Sequence, residues 1–561
     1  MGQTTFMKGA VVLAAAGAVI KALGAVFRIP LGNMIGDGGM GYYQAAYTIY
    51  VMFLTLSNSG LPVSISRLVS ERVAVGNRRG AHRVFKVSFI LMGFIGTVSF
   101  LVCFFGADAL LSRFPNMGGA AMAVRAIAPA LLIVPLMASF RGYFQGMQNM
   151  KPTANSQITE QFFRVASGLS LAYLFLPSGL EAASAGAASG ASVGAAFGLL
   201  AVALIYALSR KSLKAAMGRA DGRLGEEGAG ASQAGGSAGG LQEEPTRGIL
   251  LGIFLIAVPI TVGAAIMPIM NFIDLAFITN RLSAIGWAAA DVKDVYGQFT
   301  GFANPLINLP QILTQAVAMS LVPAVAAAYK RGDVEFMRHN IQLGLRTAVI
   351  IGLPCAFGIM ALSEQILLVL YPSKQGAAMG AAPFLFILAF GIIFLSMVQT
   401  LTGVLQGVGR QMTPVRNLFI GAGAKILVTW VLLAVPAINV KGAALGTVTA
   451  YIVASMLNLA AVSKHTGTRF DIKLTFGKPV MAAAVMGASV WLLFRGLSAL
   501  LSHAPGGRLT GFITPTLVSI GVGAVIYAFM ILACGAITRE ELSQLPHGRK
   551  LLKLLPGFIK K

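Results

Sequence analysis

Residues 141–165 read RGYFQGMQNMKPTANSQITEQFFRV, and the chain returns to the same theme in residues 402–425, TGVLQGVGRQMTPVRNLFIGAGAK. Gly142, Gln145 and Gly146 recur as Gly403, Gln406 and Gly407, and the cation Arg164 recurs as Lys425, each at an offset of 261. Pro152 and Pro414 are 262 apart, while Pro62 in SGLPVSIS recurs at 261 as Pro323 in MSLVPAVA. Several matches at one spacing predict a duplicated half. A duplication that keeps the order and direction of its helices predicts parallel repeats, related by an axis along the membrane normal.

Working outward, the motif sits in a chain of 561 residues that is 56% hydrophobic and 11% charged, with mean hydropathy +0.77. A soluble domain carries about 25% charged residues, and here the deficit runs from end to end. Apolar runs recur at the length of about 20 residues that a helix needs to cross the hydrocarbon core, and they are continuous rather than alternating as in a barrel strand. The reading is an all-α polytopic membrane protein of about fourteen transmembrane helices. They include 8–35, 42–70, 156–177 and 296–328. The first run carries Lys21 and Arg28 and is too long for a signal peptide. Cys103, Cys355 and Cys534 lie within apolar runs and read as small buried side chains. No metal cluster, nucleophile–base pair or Walker A motif stands out, so neither a cofactor nor an enzyme is expected.

The basic residues set the topology. Of the 43 Lys and Arg, 28 fall on the termini and even-numbered loops and eight on the odd-numbered loops. The positive-inside rule then predicts a multi-pass protein of the bacterial cytoplasmic membrane with both termini in the cytoplasm. The net charge of +24 is explained by loops facing anionic lipid, not by nucleic acid. The expected organisation is an N-lobe at 1–208, a flexible cytoplasmic linker at 209–247 and a C-lobe at 248–463. Two further helices at 464–537 and a basic tail at 538–561 complete it.

Seven cations lie inside expected spans: Lys21, Arg28, Arg67, Arg141, Arg164, Arg346 and Lys425. Each costs about 2.5–3.5 kcal/mol near the bilayer centre. Arg346 is expected to snorkel from a helix end. Lys21 and Arg28 share a helix face and have no acid on their helix. Glu160, four residues before Arg164, offers an internal ion pair, and Asp274 offers charge pairing or ion coupling. Arg67 and Arg141 read either as snorkelling anchors or as part of a cationic cavity between the lobes. Such a cavity suits an anion, most plausibly a phosphate or pyrophosphate.

The stretches FRIPLGNMIGDGGMGYYQ, SNSGLPVSISRLVSE, RGYFQGMQNMKPTANSQITEQFFRV, NFIDLAFITNRL and LTGVLQGVGRQMTPVRNLFIGAGAKI together resemble the polysaccharide-transporter branch of the MATE-like flippase superfamily. Within it they resemble the SpoVB/YtgP group, related to the lipid II flippase MurJ. The resemblance implies a two-lobed fold that flips undecaprenyl-pyrophosphate-linked sugars, with the last helix pair holding the lipid tail. It maps the family's basic cavity positions on helices 1 and 2 to Lys21, Arg28 and Arg67. MurJ proteins also carry a basic residue on helix 8, and Tyr296 to Ala328 has none; Lys425 or Arg164 would supply that charge. The expected partners are a lipid-linked glycan with its pyrophosphate, anionic lipids and a coupling ion. The rival readings are a cation-coupled drug antiporter of the MATE type and a membrane scaffold for cell-wall or spore-cortex synthesis.

Overall fold

The computed structural model describes the backbone of residues 2–231, 245–435, 437–501 and 512–536. Side chains are described for the same residues apart from 2–15, Ala18, Lys21 and 210–231. Among the described residues every regular element is helical, as the continuous apolar runs require: in hydrocarbon a helix satisfies its own backbone. The chain divides into two compact units, Met1–Ser283 with Trp287–Gly297, and Ala284–Gly286 with Gln298–Lys561.

The first unit contains α1 (Gly2–Asn58), α2 (Leu61–Ala74), α3 (Arg78–Phe105), the short α4 (Ala107–Leu111) and α5 (Ala121–Ile127), and then α6 (Pro129–Gly146). It continues with α7 (Lys151–Phe175), α8 (Leu180–Ala231), α9 (Thr246–Ala284) and α10 (Ala289–Gly297). The second contains α11 (Asn304–Ile307), α12 (Gln311–Arg331), α13 (Val334–Ala361), α14 (Ser363–Leu370) and α15 (Gln375–Gly407). Beyond these lie α16 (Met412–Leu433), α17 (Lys441–Thr466), α18 (Lys478–Leu501) and α19 (Thr514–Ala533). Helix α9 is held to the first unit: the Gly60 amide donates to Thr261 Oγ1 at 3.1 Å, and Phe114 meets Phe272 edge-on.

Among the described residues twelve helices are long and apolar enough to cross a membrane. The difference from the expected fourteen arises at two places. The expected spans 8–35 and 42–70 fall in one continuous candidate, Ala22–Ala74. The span expected at 156–177, now α7, carries Lys151, Glu160 and Arg164 and is not among the candidates. Helix α1 is nevertheless not straight. Gly36 has φ 68° and ψ −169°, a region only glycine enters without strain. A straight helix would separate residues 27 and 43 by about 24 Å, yet the Phe27 and Tyr43 rings are 5.9 Å apart. The chain reverses at Gly36.

The helical backbone of α8 continues to Ala231, so the segment expected as a linker begins as helix. Its residues 232–244, and the expected tail 538–561, lie outside the described residues.

The duplicated motif does the same work in each unit: its glycines let two helices approach backbone to backbone. A Cβ on Gly142 would lie 2.9 Å from the Pro62 carbonyl, and one on Gly146 2.7 Å from that of Ser66. In the second unit Gly403 faces the Ala318 carbonyl at 2.8 Å and Gly407 that of Val322 at 3.0 Å. Helices α6 and α15 therefore correspond at an offset of 261, but α2 and α12 correspond at 256. Pro62 and Pro323, matched at 261 in the sequence, are not packing equivalents; Ala318 stands where Pro62 does. The N-caps agree with the shorter offset. Asn77 Oδ1 accepts from the Gly80 amide at 2.7 Å, and Asp333 Oδ1 from the Phe336 amide at 3.1 Å. The register changes after α3 and α13, where α14 is longer than α4.

The pairing of Arg164 with Lys425 survives this test. Each offers its backbone carbonyl to a glycine of the following helix. A Cβ on Gly190 would lie 2.6 Å from the Arg164 oxygen, and one on Gly446 3.2 Å from that of Lys425.

Candidate functional site

The site is built on the reversal in α1. After Gly36 the segment YYQAAYTIY places Tyr43, Tyr47 and Tyr50 at i, i+4 and i+7, on one helix face. Their rings form a ladder, with Tyr43 and Tyr47 stacked at 5.8 Å and Tyr47 and Tyr50 tilted by 41° at 5.9 Å. Before Gly36, Arg28 comes back alongside, its guanidinium carbon 6.0 Å from the centre of the Tyr47 ring. That distance is at the outer edge of a cation–π contact.

Helix α7 adds the second cation. Arg164 lies beside Tyr43, Tyr47, Tyr50 and Glu160, and both Arg28 and Arg164 lie near Tyr43. The Arg164 Nε, buried, has no hydrogen-bond acceptor among the described residues. A guanidinium has five donors in a rigid fork, and a buried donor without an acceptor costs free energy until something fills it. Two arginines thus stand beside a tyrosine ladder, one with an unused donor, and guanidinium donors suit an anion with several acceptor oxygens.

Glu160 does not pair as its spacing from Arg164 suggested. Its carboxylate is bound by Arg141 of α6, Nη2 to Oε2 at 2.9 Å, while Arg141 Nε donates to Ser156 Oγ at 2.8 Å. Both side chains are largely buried, at 11% and 16% exposure. The pair locks α6 to α7 and leaves Arg164 to the tyrosines.

The other expected residues lie elsewhere. Arg67 is on the exposed face of α2, paired with Glu71 at 2.9 Å, and is no part of the cluster. Asp274 is buried on α9. Lys425 is 3% exposed and belongs to the second unit. The side chain of Lys21 lies outside the described residues. Arg346, expected to snorkel, is 7% exposed; it packs within the second unit instead of reaching for water. The tyrosine ladder was absent from the candidates, although the spacing of YYQAAYTIY carried the signal.

No group of His, Cys, Asp and Glu among the described residues could hold a metal ion.

The family model described as polysaccharide biosynthesis protein matches residues 6–328, and that of lipid II flippase MurJ matches residues 252–503. The Bacillus subtilis (strain 168) membrane protein YabM is 28% identical over 98% of this chain and 96% of its own length. Stage V sporulation protein B of the same organism is 27% identical over 97% of this chain and 98% of its own. Its lipid II flippase MurJ is 26% identical over 100% and 99%. Among solved structures, a lipid II flippase MurJ in an inward closed conformation superposes with TM-score 0.63 at 14% identity, covering 93% of this chain and 98% of that one. An inward-facing MATE-family multidrug transporter of the MOP superfamily also gives TM-score 0.63, at 16% identity, over 80% and 94%. The fold is that of MATE and MurJ proteins, and the chain belongs to the polysaccharide biosynthesis protein family.

Proposed function

We propose that this chain moves an undecaprenyl-pyrophosphate-linked glycan, the peptidoglycan precursor lipid II foremost, from the inner to the outer leaflet by alternating access. The observation that carries this reading is the unused Nε donor of Arg164 beside Arg28 and the tyrosine ladder. A pyrophosphate presents several oxygens to accept from guanidinium forks and, at the ladder, from phenol hydroxyls. The local balance is cationic, with Arg28, Arg141 and Arg164 set against Glu160, and Glu160 is already engaged. That argues against a cation site at this cluster, where the carboxylate is engaged; Asp274, buried on α9, is the group left for charge pairing or ion coupling. In this reading the lobes are 1–208 and 248–463, and both termini are cytoplasmic. The linked lipid stays in the bilayer. An apolar groove of about 330 Å³ lined by Phe357, Met360, Phe386 and Trp491 supports a place for part of its chain.

The experiment is rescue of a bacterium depleted of its own lipid II flippases. Precursor held in the inner leaflet is quantified with the wild-type chain, Arg28→Ala or Arg164→Ala. The expected result is clearance by the wild type and retention with both variants at equal membrane abundance. Clearance by both variants would remove the arginines from the site. Failure of the well-expressed wild type would move the substrate from lipid II to another lipid-linked glycan.

A further inference from the structure

The second unit carries a polar track that phosphate binding does not use. Helix α11 ends at Ile307 and α12 begins at Gln311. Across this break the amides Asn304, Asn308, Gln311 and Gln315 follow one another at steps of three or four residues, the spacing of a helix face. Asn308 and Gln311 are joined in series with Gln399 and Thr314. Asn308 Nδ2 donates to the Asn304 carbonyl at 3.2 Å, and Gln311 Nε2 donates to Asn308 Oδ1 at 2.6 Å. From α15, Gln399 Nε2 donates to Gln311 Oε1 at 3.0 Å, while Thr314 Oγ1 donates to Gln399 Oε1 at 2.7 Å.

Burial falls along the track. Thr314 is buried, Gln311 and Gln399 are half-buried, and Asn308 and Gln315 are exposed. Gln311 and Gln315 belong to a segment, Gln311–Arg331, long and apolar enough to span a membrane. They stand in its first turns, the end of a spanning helix, where an exposed primary amide meets water instead of hydrocarbon. Leu313, exposed on nearly the opposite side of α12, is the kind of residue that meets lipid.

The track is neutral, since no Lys or Arg occurs between Tyr296 and Ala328. A primary amide offers two donors and a two-lone-pair acceptor, matching the hydroxyl and acetamido groups of a sugar and adding nothing to phosphate neutralisation. We propose that Asn308, Gln311 and Gln315, steadied by Gln399 and Thr314, form a subsite for the carbohydrate of the headgroup. Selection of the glycosylated carrier over the bare one then resides on this unit. The inference rests on the flippase reading above.

The test measures binding of two probes to the full chain in nanodiscs: undecaprenyl pyrophosphate, and the same carrier bearing an N-acetylated disaccharide. Gln315→Leu is expected to lower the preference for the glycosylated probe about tenfold, the scale of a buried hydrogen bond or two, and Asn308→Ala to act in the same direction. Arg28→Ala weakens both probes alike, and Leu313→Ala changes neither. An unchanged ratio in Gln315→Leu and Asn308→Ala, with both probes bound, overturns the subsite and leaves the track as hydrogen-bonded glue between α12 and α15. Failure of the wild type to bind either probe overturns the flippase reading and the subsite with it.

Discussion

Replacing Glu160 by glutamine tests whether the interior of the first unit is held by a charge pair. Arg141 donates to Glu160 at 2.9 Å and to Ser156 at 2.8 Å, and the two charged side chains are 11% and 16% exposed. Water therefore screens the pair little. Removing one partner of a buried pair costs about 3–5 kcal/mol, because the other charge stays behind uncompensated. Removing both in Arg141→Met/Glu160→Gln leaves no uncompensated charge, so the double variant should be more stable than either single one. The exposed pair Arg67–Glu71, with side chains 64% and 52% exposed, provides the contrast: Glu71→Gln should cost at most about 1 kcal/mol. The assay is reversible denaturation of the purified chain in mixed micelles, followed by loss of helical signal. Refutation would be equal effects of Glu160→Gln and Glu71→Gln, or a double variant no more stable than either single one. Either result would mean that Arg141 does not depend on Glu160 for its place in the membrane.

Gly36→Ala forces a side chain into φ 68°, ψ −169° and should destabilise by about 1–3 kcal/mol. The same denaturation assay reads it, together with Arg28-dependent substrate clearance, since Arg28 reaches the ladder only through this reversal. Gly407→Leu drives a side chain into the Val322 carbonyl and Val325 and should cost about 1–3 kcal/mol by overpacking. Gly423→Leu, where a Cβ would meet nothing within 4 Å, should leave stability unchanged in parallel melts. Outside the spans, Asp294 on α10 has its carboxyl raised above the usual value, first by burial and then by Asp37, against the lowering effect of Lys293. A raised folded-state value stabilises the protonated form, so this contribution is present at acid pH and is lost as pH rises through the shifted value. Hydrogen exchange in α10 should therefore quicken from acid to neutral pH after correction for intrinsic rates, and Asp294→Asn should flatten that dependence.

What the sequence by itself determined is whatever depends on local chemistry. Twenty apolar residues in a row require a helix in hydrocarbon wherever they pack, so the spans were legible without contacts. The excess of Lys and Arg on alternate loops and the costly cations at 28, 141, 164 and 425 could be read in the same way. GYFQG and GVLQG marked the duplication because close helix approach tolerates few residues besides glycine.

The tertiary structure decided which neighbours those residues acquire. Spacing offered Arg164 as the partner of Glu160, but α6 brings Arg141 within 2.9 Å of it, and the carboxylate takes the guanidinium that packing delivers. The single glycine at 36 turns one long apolar run back on itself and sets Arg28 beside Tyr47. Proline matched to proline at 261, whereas helix contact equates Pro62 with Ala318, because a register is counted in touching turns rather than in residue numbers. Asn308, Gln311 and Gln399 come together only in the fold, at the break before α12. A hydrogen bond has to span about 3 Å, and only the folded chain brings residues 88 positions apart to that distance.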